Sequence, residues 1–189
     1  LRDGRILSWE GDIFNRFDTK DSNLRLWDAN GKSIATLKGH KYYVMGAIEL
    51  TNGHILSWGR DAMLCLWGSD GTKLKTLKDH TASIKGAMQL SDGRILSWSE
   101  DRTLRLWGSD GTKLNTLSAH KGFVLGAIEL TDGRIISWGT DNNLHIWDAE
   151  GALQTPLVGH TSSVLGALQL ADGRVISWGN DNSARIWRV

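Results

Sequence analysis

Apolar residues come along this chain in short runs, and a polar turn breaks each run before it reaches helix length. Residues 84–123 show the pattern. Ile84 to Leu90 is an apolar run with Gly86 and Ala87 inside it, and Ser91-Asp92-Gly93 interrupts it. Arg94-Ile95-Leu96-Ser97-Trp98 follows, then Thr103-Leu104-Arg105-Leu106-Trp107, and after Asp110-Gly111 the run Lys113-Leu114-Asn115-Thr116-Leu117 closes before His120. No stretch keeps a 3.6-residue apolar period for three turns, so helix is a poor reading. Asp-Gly or Asn-Gly between apolar runs signals a hairpin, because these residues accept the positive φ of a tight turn. One series stands at Asp3-Gly4, Asn52-Gly53, Asp92-Gly93, Asp132-Gly133 and Asp172-Gly173. A second stands at Asn30-Gly31, Asp70-Gly71 and Asp110-Gly111, with Glu150-Gly151 a weaker member. The pattern predicts units of four short strands: first, second, third and outer.

The unit recurs every forty residues. His40, His80, His120 and His160 keep that spacing, as do Trp27, Trp67, Trp107, Trp147 and Trp187, and Trp58, Trp98, Trp138 and Trp178. With Trp9, displaced by nine residues, all ten tryptophans are repeat positions. A fixed period of this length marks an array whose units are stabilised by packing against copies of themselves. A four-stranded sheet that is apolar on both faces cannot stand alone in water. Radial stacking buries both faces and leaves only short edges, which is the propeller arrangement. A strand solenoid fits less well, since its repeats are shorter. The expected fold is therefore all-β, a β-propeller of four-stranded antiparallel blades, about five in this chain. Residues 1–40 form a partial blade with an insert near 11–19, residues 41–80, 81–120 and 121–160 form full blades, and 161–189 form a second partial one. The first residue is Leu1 and both end repeats are incomplete. The expectation is a segment of a longer protein or an end-to-end assembly of chains, ahead of a ring closed by one chain.

Four polar positions keep fixed spacing in each repeat: His40, Ser57, Asp61 and Trp67; His80, Ser97, Asp101 and Trp107; His120, Ser137, Asp141 and Trp147; His160, Ser177, Asp181 and Trp187. The first copy keeps Ser8, Asp21 and Trp27. An indole N–H donates, a hydroxyl both donates and accepts, a neutral imidazole does one at each nitrogen, and a carboxylate accepts. The four form a complementary relay that satisfies each buried polar group. With Gly39-His40, Gly159-His160, the Asp-x-x-Leu-x-Leu-Trp run at 61–67 and 101–107, Trp27-Asp28 and Trp147-Asp148, the chain resembles the WD-repeat β-propeller family over essentially its whole length. The resemblance implies that these residues form the structural relay, and that the loops holding the histidine and the aspartate open on one "top" face. Asp79 and Ala119 depart from the glycine before histidine, and Gly68, Gly108 and Arg188 from the aspartate after tryptophan. The four tetrads stay complete. Trp58, Trp98, Trp138 and Trp178 stand where the family more often has a small residue and are expected to fill space between blades.

A Ser/His/Asp set invites a hydrolase reading. It occurs four times here, its serine lies mid-strand, and no Gly-x-Ser-x-Gly elbow supplies an exposed nucleophile. No catalytic residue is assigned. The four histidines lie one per blade, so they do not surround a shared ion. No metal and no cofactor is assigned, and no phosphate-binding or dinucleotide loop is present. Cys65, the single cysteine, replaces the arginine or histidine of Arg25, Arg105, His145 and Arg185 and reads as a strand thiol. It excludes an internal disulfide framework and fits a reducing, cytoplasmic setting. The net charge of +1 and the lack of a basic stripe argue against nucleic acid, and no apolar run reaches membrane-spanning length.

Function is expected where the repeats disagree. Just before the tetrad aspartate stand Arg60, Glu100, Thr140 and Asn180. After the histidine come Lys41-Tyr42-Tyr43, Thr81-Ala82-Ser83, Lys121-Gly122-Phe123 and Thr161-Ser162-Ser163, and one residue into the first strand come Met45, Lys85, Leu125 and Leu165. Tyr42, Tyr43, Met45, Arg60 and Phe123 are residue types that anchor interfaces. The insert adds Phe14, Arg16 and Phe17. These positions predict a non-catalytic protein-interaction scaffold, with a protein or peptide as partner. Two other readings stay open: a sensor or targeting domain of a larger bacterial-type signalling or defence enzyme, and a propeller that binds a small ligand or glycan.

Overall fold

The computed structural model describes residues 1–9 and 22–189. Its described residues form eighteen strands and no helix. The first sheet holds β1 (Ile6–Trp9), β2 (Leu24–Trp27) and β3 (Ser33–Leu37), in that order. The second holds β4 (Val44–Glu49), β5 (Ile55–Gly59), β6 (Met63–Trp67) and β7 (Lys73–Lys78). The third holds β8 (Ile84–Gln89), β9 (Ile95–Ser99), β10 (Thr103–Trp107) and β11 (Lys113–Ser118). The fourth holds β12 (Val124–Glu129), β13 (Ile135–Gly139), β14 (Asn143–Trp147) and β15 (Leu157–Val158), and the fifth β16 (Val164–Gln169), β17 (Val175–Gly179) and β18 (Ala184–Trp187). Each strand pairs antiparallel with its sequence neighbour, as the hairpin signals require. The chain divides into two compact units, Leu1–Ala87 and Met88–Val189.

The turns are one residue longer than a two-residue hairpin. Leu50 N–H bonds to His54 O at 2.8 Å and Gly53 N–H to Leu50 O at 2.9 Å. Gly53 takes φ +79°, while Asn52 accepts the His54 amide at 3.0 Å through its own side chain. This is the three-residue loop that ends on a left-handed glycine. The Asp or Asn before the glycine serves as a side-chain acceptor and does not itself take positive φ.

A bulge marks the start of the first strand. Val44 pairs with Gly59 and Gly46 with Trp58, which leaves Met45 between them; the same shift occurs at Leu125 and Leu165. A bulged residue drops out of the ladder and turns its side chain aside. Met45 is accordingly exposed between buried Val44 and Gly46.

The second-strand tryptophans cover a glycine of their own blade. A Cβ on Gly46 would meet the Trp58 ring at 2.3 Å, one on Gly126 the Trp138 ring at 2.3 Å, and one on Gly166 the Trp178 ring at 2.2 Å. Trp138 also joins a cluster with Leu130, Ile136, Leu144, Val164 and Val175, so its outer face packs against the next blade. In the first unit the core runs through Leu24, Leu26, Leu37, Val44, Ile55 and Trp67. In the second, a further cluster holds Leu96, Leu104, Leu106, Val124, Ile135 and Trp147. Each such side chain contributes about 1.5–3 kcal/mol of transfer free energy when fully buried.

One outer strand departs from the expected pattern. In the fourth sheet β15 pairs over Asn143↔Val158 and Leu144↔Leu157 alone, with an isolated Trp147↔Leu153 bridge. Pro156 stands where the third sheet has Thr116, which pairs with Arg105. Proline has no N–H for the ladder and splits the strand.

Candidate functional site

The relay is built on the second and third strands and on the loop before the first. In the first unit, Trp67 Nε1–H donates to Ser57 Oγ at 2.9 Å, and Ser57 Oγ lies 2.8 Å from His40 Nε2. His40 Nδ1 lies 3.0 Å from both Asp61 oxygens. Asp61 also accepts the Lys41 amide at 2.8 Å and the Met63 amide at 3.2 Å, which fixes the loops on either side. In the second unit, Trp147, Ser137, His120 and Asp141 repeat this at 2.9, 2.8 and 2.9–3.0 Å. Trp187, Ser177, His160 and Asp181 repeat it at 2.8 Å throughout. Trp107 donates to Ser97 at 2.9 Å, and His80 is buried. Asp101 caps the turn through Thr103 N–H at 3.0 Å. In the first blade Trp27 donates to Ser8 at 2.8 Å, while Asp21 lies outside the described residues.

Two of these sets differ in protonation. Burial lowers the pKa of His40, but the hydrogen bond to Asp61, helped by Cys65, outweighs it and raises the group to about 9. His40 is thus a cation at neutral pH, and both its N–H groups donate, one to Asp61 and one to Ser57. Burial likewise lowers His120, and there it prevails over Asp141, with the neighbouring His145 acting in the same direction. His120 is neutral at pH 7. Burial opposes ionisation of Asp141, yet the hydrogen bond from His120 and the close approach of the His145 ring hold its pKa far below the usual carboxylate range. An ionised Asp141 only accepts, so His120 Nδ1 carries the hydrogen and Ser137 O–H donates to Nε2. These groups are buried and mutually engaged, with the serines wholly inaccessible.

The variable positions lie directly outside the relay. Arg60 N–H bonds to Tyr43 O at 2.9 Å, and the Arg60 guanidinium lies 5.9 Å from the centre of the Tyr43 ring. Tyr42 beside them is 65% exposed. In the second unit Phe123 and Thr140 are joined twice, Phe123 N–H to Thr140 Oγ1 at 2.8 Å and Thr140 N–H to Phe123 O at 3.0 Å. Asn180 N–H bonds to Ser163 O at 2.9 Å. The loop after each of these histidines therefore meets the loop before the aspartate. Phe123, Thr140 and Asn180 are exposed, while Lys85 and Glu100 are half-buried. Phe14, Arg16, Phe17 and the rest of the insert lie outside the described residues.

Sequence reasoning passed over His145. It treated the residue as one of a series with Arg25 and Arg105, whereas the fold sets its buried ring 4.2 Å from His120, centre to centre, and its Nε2 3.4 Å from Asp141. The available signal was the four-residue spacing from Asp141 on a strand that also carries a relay tryptophan.

Short antiparallel sheets on a forty-residue period, three of them tied by a complete indole–hydroxyl–imidazole–carboxylate set, define a β-propeller array. The family model for the WD domain, G-beta repeat, matches residues 71–108, one repeat of the array, and supports the WD-repeat propeller family. Over 98% of its length the chain is similar to the solved WD40 β-propeller domain of Doa1, with 25% identity and a TM-score of 0.75. It spans 61% of that solved chain. No curated protein matches it. Propellers of this family are generally protein-interaction scaffolds and typically not catalysts. No helix among the described residues is long and apolar enough to cross a membrane.

Proposed function

We propose that this chain is a non-catalytic interaction scaffold that binds a protein or peptide partner through the loops between the tetrad histidine and the tetrad aspartate. The observation that carries this reading is the Tyr42, Tyr43 and Arg60 group. An exposed aromatic ring stands beside an arginine–tyrosine pair, on loops held by Asp61 through the Lys41 amide. Tyrosine and arginine supply large contact area with few rotors, and interface hot spots are enriched in both. In the second unit Phe123 and Thr140 offer a smaller aromatic group on the same kind of paired loop. The serines and histidines of the described relays are buried and engaged with one another, which supports a binding role for the chain over a nucleophilic one.

The test is quantitative affinity capture with the wild-type chain and with a Tyr42→Ser, Tyr43→Ala, Arg60→Ser variant, each first shown to unfold at a similar temperature. At least one partner, then purified and titrated, is expected to lose about 30-fold or more in affinity, the size of a hot-spot loss. Retention of every captured partner by a folded variant would overturn the reading. A matching series at Phe123 and Thr140 tells which unit carries the contact.

A further inference from the structure

The geometry points to a metal-binding site inside the fourth sheet, in which His120 Nδ1, Asp141 Oδ2 and His145 Nε2 hold a first-row divalent transition ion of the zinc class. The three ligand atoms lie within 4.8 Å of one another. Asp141 Oδ2 is 2.9 Å from His120 Nδ1 and 3.4 Å from His145 Nε2. Ligands about 2.0–2.1 Å from a tetrahedral zinc ion are separated by about 3.3–3.4 Å, so the His145–Asp141 edge already has the required length. To take the ion, the His120–Asp141 edge must lengthen from 2.9 Å and the His120–His145 edge, at most 4.8 Å, must reach the same length.

An independent observation points to a ligand. The His145 side chain is only 8% exposed; its Nδ1 has no hydrogen-bond partner, and its Nε2 has the 3.4 Å approach to Asp141 but no hydrogen bond of good geometry. Buried polar groups are almost always satisfied, and each one left over costs about 1–3 kcal/mol. The third sheet answers the same position differently. There Arg105 reaches Asp101 at 3.5 Å and Thr116 Oγ1 at 2.9 Å. The fourth sheet has changed both members of that pair, to His145 and Pro156. Proline removes the hydroxyl and shortens the outer strand beside the site. An imidazole here replaces the guanidinium, which leaves two imidazoles and a carboxylate, and this donor set suits zinc, cobalt, nickel or copper over magnesium or calcium.

On binding, the hydrogen on His120 Nδ1 gives way to the ion and the ring carries its hydrogen on Nε2. Ser137 Oγ, 2.8 Å away, accepts it, and this second contact orients the ligand. Trp147 continues to donate to the same oxygen at 2.9 Å. A fourth coordination position is left for water. The site lies within one blade and needs nothing from the other histidine sets.

The test is titration of chelator-treated full chain with Co2+ followed by displacement with Zn2+. Saturation at one equivalent is expected, with visible absorption bands of a tetrahedral cobalt site and a rise in unfolding temperature with zinc. His145→Arg restores the residue of the third sheet and is expected to fold normally by circular dichroism. It should weaken binding by at least about 100-fold, more than the roughly 10–100-fold cost of removing a supporting partner. His54→Ala, at a turn of the second sheet, should bind as the wild type does. Failure of the wild type to saturate, or equal binding by a folded His145→Arg chain, would overturn the site.

Discussion

Ala62 and Arg102 hold backbone φ of 60° and 70°, in the left-handed region, directly after a tetrad aspartate. The fourth and fifth blades assign the equivalent position to Asn142 and Asn182, at 67° and 57°. Asparagine visits this region readily and other L-residues do so at a cost of roughly 1–2 kcal/mol. Ala62→Asn should therefore raise stability by about 0.5–1 kcal/mol, read as a higher urea midpoint at an unchanged slope. His40 gives a pH dependence with a defined sign. Its folded pKa, about 9, lies above the ordinary 6.5. The stability it contributes is fully present below pH 6.5 and is lost as pH rises through about 9. Ring NMR should place the His40 transition near pH 9, and the urea midpoint should fall across that window less steeply in Asp61→Asn than in the wild type. The spacing of the tetrads was legible in the sequence because period and donor–acceptor chemistry are both local to one repeat. The opposite protonation of His40 and His120 was not. It depends on Cys65 and His145, whose approach to the relay follows from strand register and not from distance along the chain.

Strands were legible almost to the residue in the third sheet, where apolar runs bounded by glycine turns leave little freedom. The features missed at this scale are those in which one residue changes the ladder. Met45 is exposed because it bulges, and nothing in Val44-Met45-Gly46 announces a bulge except a glycine whose role becomes plain once Trp58 is found lying over it. The turns stand where the Asp-Gly and Asn-Gly pairs signalled them, but only the glycine of each pair takes positive φ. Pro156 was visible as the only proline, yet the repeat pattern alone still predicts a full outer strand. Pro156→Thr should restore the ladder to the length seen in β11. Amide hydrogen exchange at residues 153–157 is expected to slow by about tenfold or more, and unchanged exchange would show that some other feature breaks the strand.

Across whole blades, one contact recurs with the period of the array. The turn amide after the first strand of one blade bonds to the glutamate or glutamine that ends the first strand of the next. Within the first unit this is Arg2 N–H to Glu49 at 2.7 Å. Within the second it is Ser91 N–H to Glu129 at 2.8 Å and Thr131 N–H to Gln169 at 2.9 Å. Ser91 Oγ adds a second bond to Glu129 at 2.8 Å. Glu129→Ala removes two exposed bonds and should destabilise the chain by about 0.5–1.5 kcal/mol, measured by urea unfolding. Blade number was legible because the tryptophan period is unbroken. These clasps were not, since Glu49, Glu129 and Gln169 read in sequence as ordinary solvated strand ends.

The clasps have a consequence for the gene. Ser91 meets Glu129, and Thr131 meets Gln169, thirty-eight residues on in each case. Loss of codons 121–160 by unequal crossing-over would place Gln169 where Glu129 had been. The same turn amide would find the same kind of oxygen, and the Trp178 ring would still lie on Gly166. Recombination between copies can thus lengthen or shorten the array without opening a mismatched joint, and the coding sequence can drift in blade number while each individual joint stays under the same physical constraint.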